Sequence, residues 1–188
     1  MDTTSLTLLE SLKSDGMAAP EWARFDALYR PLLQRWARSR GFAPQDADDL
    51  TQEVFVKLFT ELPKYEKKPG GSFRSWLFRL TANAGHDYRR RVATRRLPEP
   101  DGLSGVGQEP PLTEMDETEY LRELSRQGLE LIRPEFSAQA MASFEGTKVA
   151  GRPAADMAAE LGMTANAVYI AVNRVMTRLR EVLAGLMD

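Results

Sequence analysis

The 188-residue chain contains no cysteine. Disulfides, thiolate nucleophiles and cysteine-based metal sites are thereby excluded, and the composition fits a reducing compartment. Histidine is almost absent: His86 is alone and stands near a run of arginines, with no partner constellation for a catalytic dyad. Nowhere does an apolar stretch approach the roughly 18 residues needed to cross a bilayer. The start, MDTTSLTLLESLKSDG, lacks the basic head and apolar run of a signal peptide. A soluble, cytoplasmic protein is expected. A phosphate-cradling glycine loop is missing too, because the GVG at 105–107 opens no helix. With no metal or nucleophile constellation either, the sequence predicts neither a cofactor nor an enzyme.

Net charge is also small, −2, but it is unevenly spread. Residues 1–63 carry 7 basic and 10 acidic side chains, 64–96 carry 10 and 2, 97–120 carry 0 and 7, and 121–188 carry 8 and 8. One short block therefore concentrates positive charge, and an acidic block follows it. The acidic block overlaps LPEPDGLSGVGQEPPLTEMDE, which is rich in proline and glycine and reads as a linker. Seven carboxylates tethered beside the basic block either mask Arg89, Arg90 and Arg91 when no partner is bound or merely keep the linker solvated and extended.

No segment sustains the alternation of a strand, and both flanks of the linker read as helix, giving an all-α protein of two small helical domains. Phe25, Leu28, Tyr29, Leu32, Leu33 and Trp36 form one stripe of a helix ending near Gly41. A second helix, about 44–62, buries Leu50, Val54, Phe55, Leu58 and Leu62, leaving Asp46, Asp49, Gln52, Glu53 and Val56 on the opposite arc. A third, about 72–91, has an inner stripe of Phe73, Trp76, Leu77, Leu80 and Ala84 and an outer arc with Arg74, Arg79, Arg89 and Arg90. Helices near 120–133 and 137–145 precede PAADMAAELGMTANAVYIAVNRVMTRL. There Gly162 suits a left-handed helix end and Thr164 can cap the next helix, a helix-turn-helix pattern. Val168, Val172, Val175, Leu179, Val182 and Leu186 form its inner seam, while Asn166, Tyr169, Ile170, Asn173, Arg174 and Thr177 point outward. In the leader, Thr7 and Glu10 could form a capping box for a short helix with Leu9 and Leu12.

Arginine with interleaved aromatic and amide groups, as in SFRSWLFRLTANAGHDYRRR, suits phosphates and unpaired bases. Trp76 falls on the apolar stripe and is expected to pack in the core. The arc of DADDLTQEVF lacks histidine and any calcium-type loop, so it reads as a solvated face or a protein-docking face, not a metal site. The helix-turn-helix reads as a DNA reader, with a plain scaffold as the alternative.

The order FDALYRPLLQRWARSRG, DADDLTQEVFVKLF, SFRSWLFRLTANAGHDYRRR, linker, then a helix-turn-helix ending NRVMTRLREVL closely resembles extracytoplasmic-function sigma factors of the sigma-70 family. The resemblance divides the chain into a leader (1–21), a region 2 domain (22–96), a linker (97–118) and a region 4 domain (119–188). It implies a factor that binds core RNA polymerase and directs promoter recognition, melting and initiation. A free-standing helix-turn-helix regulator is the alternative. By resemblance, Asp46, Asp49, Gln52, Glu53 and Val56 would dock on the beta-prime clamp helices, and region 4 near the beta flap. Lys64, Tyr65, Lys67, Lys68, Ser72, Arg74, Arg79, Asn83, Arg89 and Arg90 would hold the minus-10 element. Arg152, Thr164, Asn166, Tyr169, Asn173 and Arg174 would read the minus-35 element. The partners implied are core polymerase, promoter DNA and an anti-sigma factor or other regulator. One departure stands out: the recognition helix has an apolar middle, AVYIAV, and no arginine before Arg174.

Overall fold

Apolar side chains at helical spacing decide which faces meet. The computed structural model describes residues 8–14, 20–67, 69–95 and 115–187, and within them every regular element is helical. Helix α1 (Leu8–Ser14) buries Leu8 and Leu12. Glu10 lies within it, whereas Thr7, the other half of the expected capping box, lies outside the described residues. Helix α2 (Pro20–Ser39) buries Trp22 and the whole expected stripe from Phe25 to Trp36. It continues through Pro31, whose ring forfeits one backbone hydrogen bond. Gly41, at φ 86°, then turns the chain.

Helix α3 (Pro44–Glu61) starts with proline in its first turn and buries Leu50, Val54, Phe55 and Leu58 against α2. A single 3-10 turn, Leu62–Lys64, leads to a loop and then to α4 (Phe73–Arg95), whose first turn is capped where Ser72 Oγ accepts the Ser75 N–H at 3.1 Å. Phe73 packs edge to face on two rings of this half, 5.8 Å from Tyr29 and 5.6 Å from Tyr65.

The C-terminal half holds α5 (Glu117–Ile132), α6 (Ala138–Phe144), a π turn (Glu145–Val149), α7 (Ala154–Leu161) and α8 (Ala165–Val182). Asp116, Ser137 and Thr164 cap α5, α6 and α8 through their side-chain oxygens. Gly162, at φ 64°, closes α7, so the helix-turn-helix has the turn chemistry its sequence called for. At Gly146 a Cβ would stand 2.3 Å from Met157 Sδ, so the π turn lies close against α7 and a larger residue there would have to displace the end of the Met157 side chain.

The two halves touch. Helix α5 lies along α2. At that contact Tyr29 Oη and Tyr120 Oη are 2.8 Å apart, and Tyr120 donates onward to the Leu186 carbonyl at 2.9 Å. The Tyr29 hydroxyl must then be the donor to Tyr120. Burial, and then the neighbouring Tyr120, pushes the Tyr29 phenol well above its ordinary range. Arg24 caps the C-terminal end of α8 by donating to the carbonyls of Glu181 and Val182. Its guanidinium is held below its usual range first by burial and then by Arg178, with Glu21 opposing. Glu123 sits almost buried between Arg35 and Arg126. Burial raises its carboxyl, but the hydrogen bonds from Arg126 and Gln127 and the two cations outweigh this and leave it below the usual range.

Contact with the second half also corrects the inner stripe expected for α4. Phe78 and Thr81 are buried, while Trp76 and Leu80 sit at the margin. Phe78 packs on Tyr120, with ring centroids 6.1 Å apart. That partner lies 42 residues downstream, beyond the reach of local periodicity.

Candidate nucleic-acid interface

Helices α3 and α4 together carry a chain of three hollows along one face. The first is lined by Asp49, Gln52, Glu53 and Val56 from α3 and by Tyr88, Arg91 and Val92 from α4. Lys57 belongs to this hollow and to a second one, with Trp76, Arg79 and Asn83. Trp76 and Arg79 are shared in turn with a third, lined by Lys64, Tyr65, Glu66, Gly71 and Ser72. Acidic arc and aromatic pocket are thus parts of one trough.

At the first hollow Val56 is 67% exposed, large for an apolar side chain at the centre of a helix. Asp49 and Gln52 are exposed beside it. Asp46 and Glu53 are already engaged: Asp46 accepts from Tyr88 Oη at 2.6 Å, and Glu53 pairs with Arg91 at 2.7 Å. The Asp46 hydrogen bond, with burial and the charges of Asp46, Asp49 and Glu53, raises the Tyr88 phenol to about 12.

The third hollow brings flat and hydrogen-bonding groups together. The Tyr65 and Trp76 rings lie 4.8 Å apart, Trp76 is only half-buried, and Arg79 is exposed at the rim. Lys64 pairs with Glu61 at 3.2 Å, a surface pair worth about 0–1 kcal/mol. Of the minus-10 residues expected from resemblance, Lys64, Tyr65, Ser72 and Arg79 meet here, and Asn83 joins Arg79 in the adjoining hollow. Lys67 is exposed on the loop, and Lys68 lies outside the described residues.

The remaining arginines are held elsewhere. Arg74 donates to the Met115 carbonyl at 2.9 Å and lies 3.9 Å from Glu117, with its side chain only 18% exposed. Arg89 donates to the Arg40 carbonyl at 2.6 Å and lies over the Phe42 ring. Arg90 pairs with Asp87 and Arg91 with Glu53. Masking by the acidic linker concerns residues that mostly lie outside the described ones, but Glu117 and Glu119 face Arg74 and Arg35 instead of Arg89–Arg91.

On the C-terminal half, α8 projects Asn166, Tyr169, Ile170, Asn173 and Arg174 outward, with Tyr169 64% and Ile170 53% exposed. On one side of α8 lies a hollow with Thr147, Lys148, Arg152, Tyr169, Asn173 and Arg180. The other side has Ser137, Gln139, Met163, Ile170 and Arg174. Arg152 pairs with Glu160 at 2.6 Å, and Thr164 spends its hydroxyl as the cap that accepts the Ala167 N–H. Lys57, Trp76 and Lys148 are site-lining residues that sequence reasoning left out. Lys57 was within reach, being one turn beyond Glu53 on the same arc.

The chain is similar to known proteins. The family model described as sigma-70 region 2 matches residues 26–96. The ECF RNA polymerase sigma factor SigE of Mycolicibacterium smegmatis is 28% identical over 191 residues, which cover 97% of this chain and 69% of that one. RNA polymerase sigma factor CnrH of Cupriavidus metallidurans is 30% identical over 158 residues, 80% of each chain. A solved structure of CnrH in complex with the cytosolic domain of CnrY aligns over 94% of both chains, with 25% identity and a TM-score of 0.37. The chain belongs to the sigma-70 family of RNA polymerase sigma factors, in the extracytoplasmic-function group. Its function is that of a sigma factor directing promoter-specific transcription, and sigma factors are in general not enzymes. Among the described residues no helix is long and apolar enough to cross a membrane, and no group of three or more His, Asp or Glu side chains could hold a metal ion.

Proposed function

We propose that the trough on α3 and α4 is where this sigma factor meets both core polymerase and the melted minus-10 strand, and that α8 reads the minus-35 element. The continuity of the trough carries the reading: a docking arc with an exposed apolar centre runs through Lys57 and Asn83 into an aromatic pocket edged by Arg79. Asp49, Gln52 and Val56 supply the free docking surface for the beta-prime clamp helices, while Asp46 and Glu53 act partly by holding Tyr88 and Arg91. Lys64, Tyr65, Ser72, Arg79 and Asn83 hold single-stranded DNA, and Trp76 offers a ring for an unpaired base. Capture of that base drives melting without nucleotide hydrolysis. Arg74 and Arg89 act from within the fold, and Arg90 and Lys67 supply surface charge.

On α8, the exposed apolar middle suits thymine methyl groups, with Asn166 and Asn173 as amide readers and Arg174 as the single cation among them. Region 4 would also contact the beta flap. Action in the cytoplasm under an anti-sigma factor or a comparable regulator belongs to the same proposal.

The docking assignment is tested with Asp49→Arg combined with Val56→Asp, measuring affinity for core polymerase. Both side chains are exposed, so helicity should persist while binding falls at least about tenfold, roughly 1.4 kcal/mol. Unchanged binding removes the arc from the interface.

A further inference from the structure

The aromatic pocket has a support that comes from outside the residues matched by the family model, which begin at Asp26. Helix α1 buries Leu8 and Leu12 and lies against both α2 and the Leu62–Lys64 turn. From its last turn, Lys13 Nζ donates to the Tyr65 carbonyl at 2.6 Å, and the same ammonium stands 5.3 Å from the centre of the Tyr65 ring. Tyr65 is where the chain leaves the 3-10 turn and enters the loop that shapes the pocket. Its N–H is committed to the Leu62 carbonyl at 3.0 Å, and its ring to Phe73 and Trp76. Lys13 takes the carbonyl, so the loop entrance is fixed on backbone and ring alike. The loop exit is fixed separately, by Ser72 capping α4.

We infer that α1 is a brace for the pocket and that Lys13 is a positioning residue for base recognition at the minus-10 element. The inference rests on the reading of that pocket as the site of an unpaired base. Lys13 need not touch DNA. By holding the Tyr65 backbone it sets the spacing between the Tyr65 ring, Trp76 and Arg79, and a loosened entrance admits the wrong base as readily as the right one. Loss of the brace should therefore appear as lost discrimination, with core affinity and upstream duplex binding intact.

The test uses holoenzyme assembled from the full chain and core polymerase, with fork-junction DNA carrying each of the four bases at each minus-10 position in turn. Wild type locates the position the pocket reads, as the one where Trp76→Ala collapses the preference. There Lys13→Met should shrink the preference for the best base over the others at least about fivefold, and Lys13→Arg, which can still donate to the carbonyl, should restore it. Core affinity and thermal stability of Lys13→Met should stay at wild-type values. Full discrimination in Lys13→Met beside a collapsed Trp76→Ala would overturn the brace and leave the pocket reading standing. Equal weakening for all four bases, fading as salt rises, would also overturn it, because Lys13 would then be a phosphate contact. If Trp76→Ala changes no preference at any position, the pocket reading fails and the brace with it.

Discussion

The basic helix of the first half and the recognition helix of the second invert what their sequences advertise. Block 64–96 carries ten cations, yet Arg74, Arg89, Arg90 and Arg91 are bound to the Met115 carbonyl, the Arg40 carbonyl, Asp87 and Glu53. Helix α8 has an apolar middle and little charge, yet Tyr169 and Ile170 stand open to solvent. Charge density along a chain therefore measures how many ion pairs a fold must accommodate as much as what it offers to a partner. Exposure in the folded state is the sharper guide.

The largest effects that test this contrast are on stability. Tyr120 and Tyr169 are both tyrosines of the second half, one buried under α2 and one on the outer face of α8. Tyr120→Ala should cost about 3–5 kcal/mol in urea unfolding, because it opens a cavity and strands the hydroxyl of Tyr29. Tyr169→Ala should stay within about 0.5 kcal/mol and show its defect only in DNA binding. Similar stabilities for the two variants would mean that the contact between the halves contributes nothing.

Next in size are effects on reading. Asn173→Ala should reduce discrimination at one upstream base pair by about 1–3 kcal/mol, whereas Arg180→Ala should weaken all sequences alike if that side chain touches only phosphate. Competition binding over a panel of single-base variants separates the two patterns, and uniform loss in both would take Asn173 off the reading face.

Within α4 the contrast can be drawn between neighbours. Arg79→Ala and Asn83→Ala, at the trough, should slow promoter opening roughly tenfold, about 1.4 kcal/mol, and be rescued on premelted template. Arg89→Ala should leave opening near wild type and act on stability, since it uncaps the Arg40 carbonyl. Permanganate footprinting on duplex and premelted templates reads both; an Arg89 defect larger than that of Arg79 would reverse the assignment.

The smallest effect concerns Tyr88, whose phenol is raised to about 12 by the hydrogen bond to Asp46, then burial, then neighbouring carboxylates. A raised phenol favours the neutral form in the folded state, so its contribution is complete below pH 10 and is lost as pH rises from about 10 through about 12. Ultraviolet titration of tyrosinate should lose a step near 12 in Tyr88→Phe, and Asp46→Ala should move that step down toward the ordinary range.

Much of the fold was legible because it is local. The stripes of α2 and α3, the Gly162 turn and the Thr164 cap follow from spacing and turn chemistry within a few residues. The buried side of α4 was only half legible, since Phe78 is covered by Tyr120 from the second half, which no periodicity reports. The same holds for the arginines: a block of ten cations says nothing of which carbonyl or carboxylate each will find. In the leader, Leu12 was legible as part of a short helix, but Lys13 gains its meaning from Tyr65, 52 residues away.

On the proposed function, one chain reads two DNA elements, and does so as part of polymerase. Holoenzyme formed from this chain and core polymerase, allowed to select from a randomised promoter library, should enrich two short sequence blocks at a fixed separation. The chain without core should enrich at most the upstream block, weakly. Enrichment of a single block by the free chain, unchanged when core polymerase is added, would contradict the account and favour a free-standing helix-turn-helix regulator.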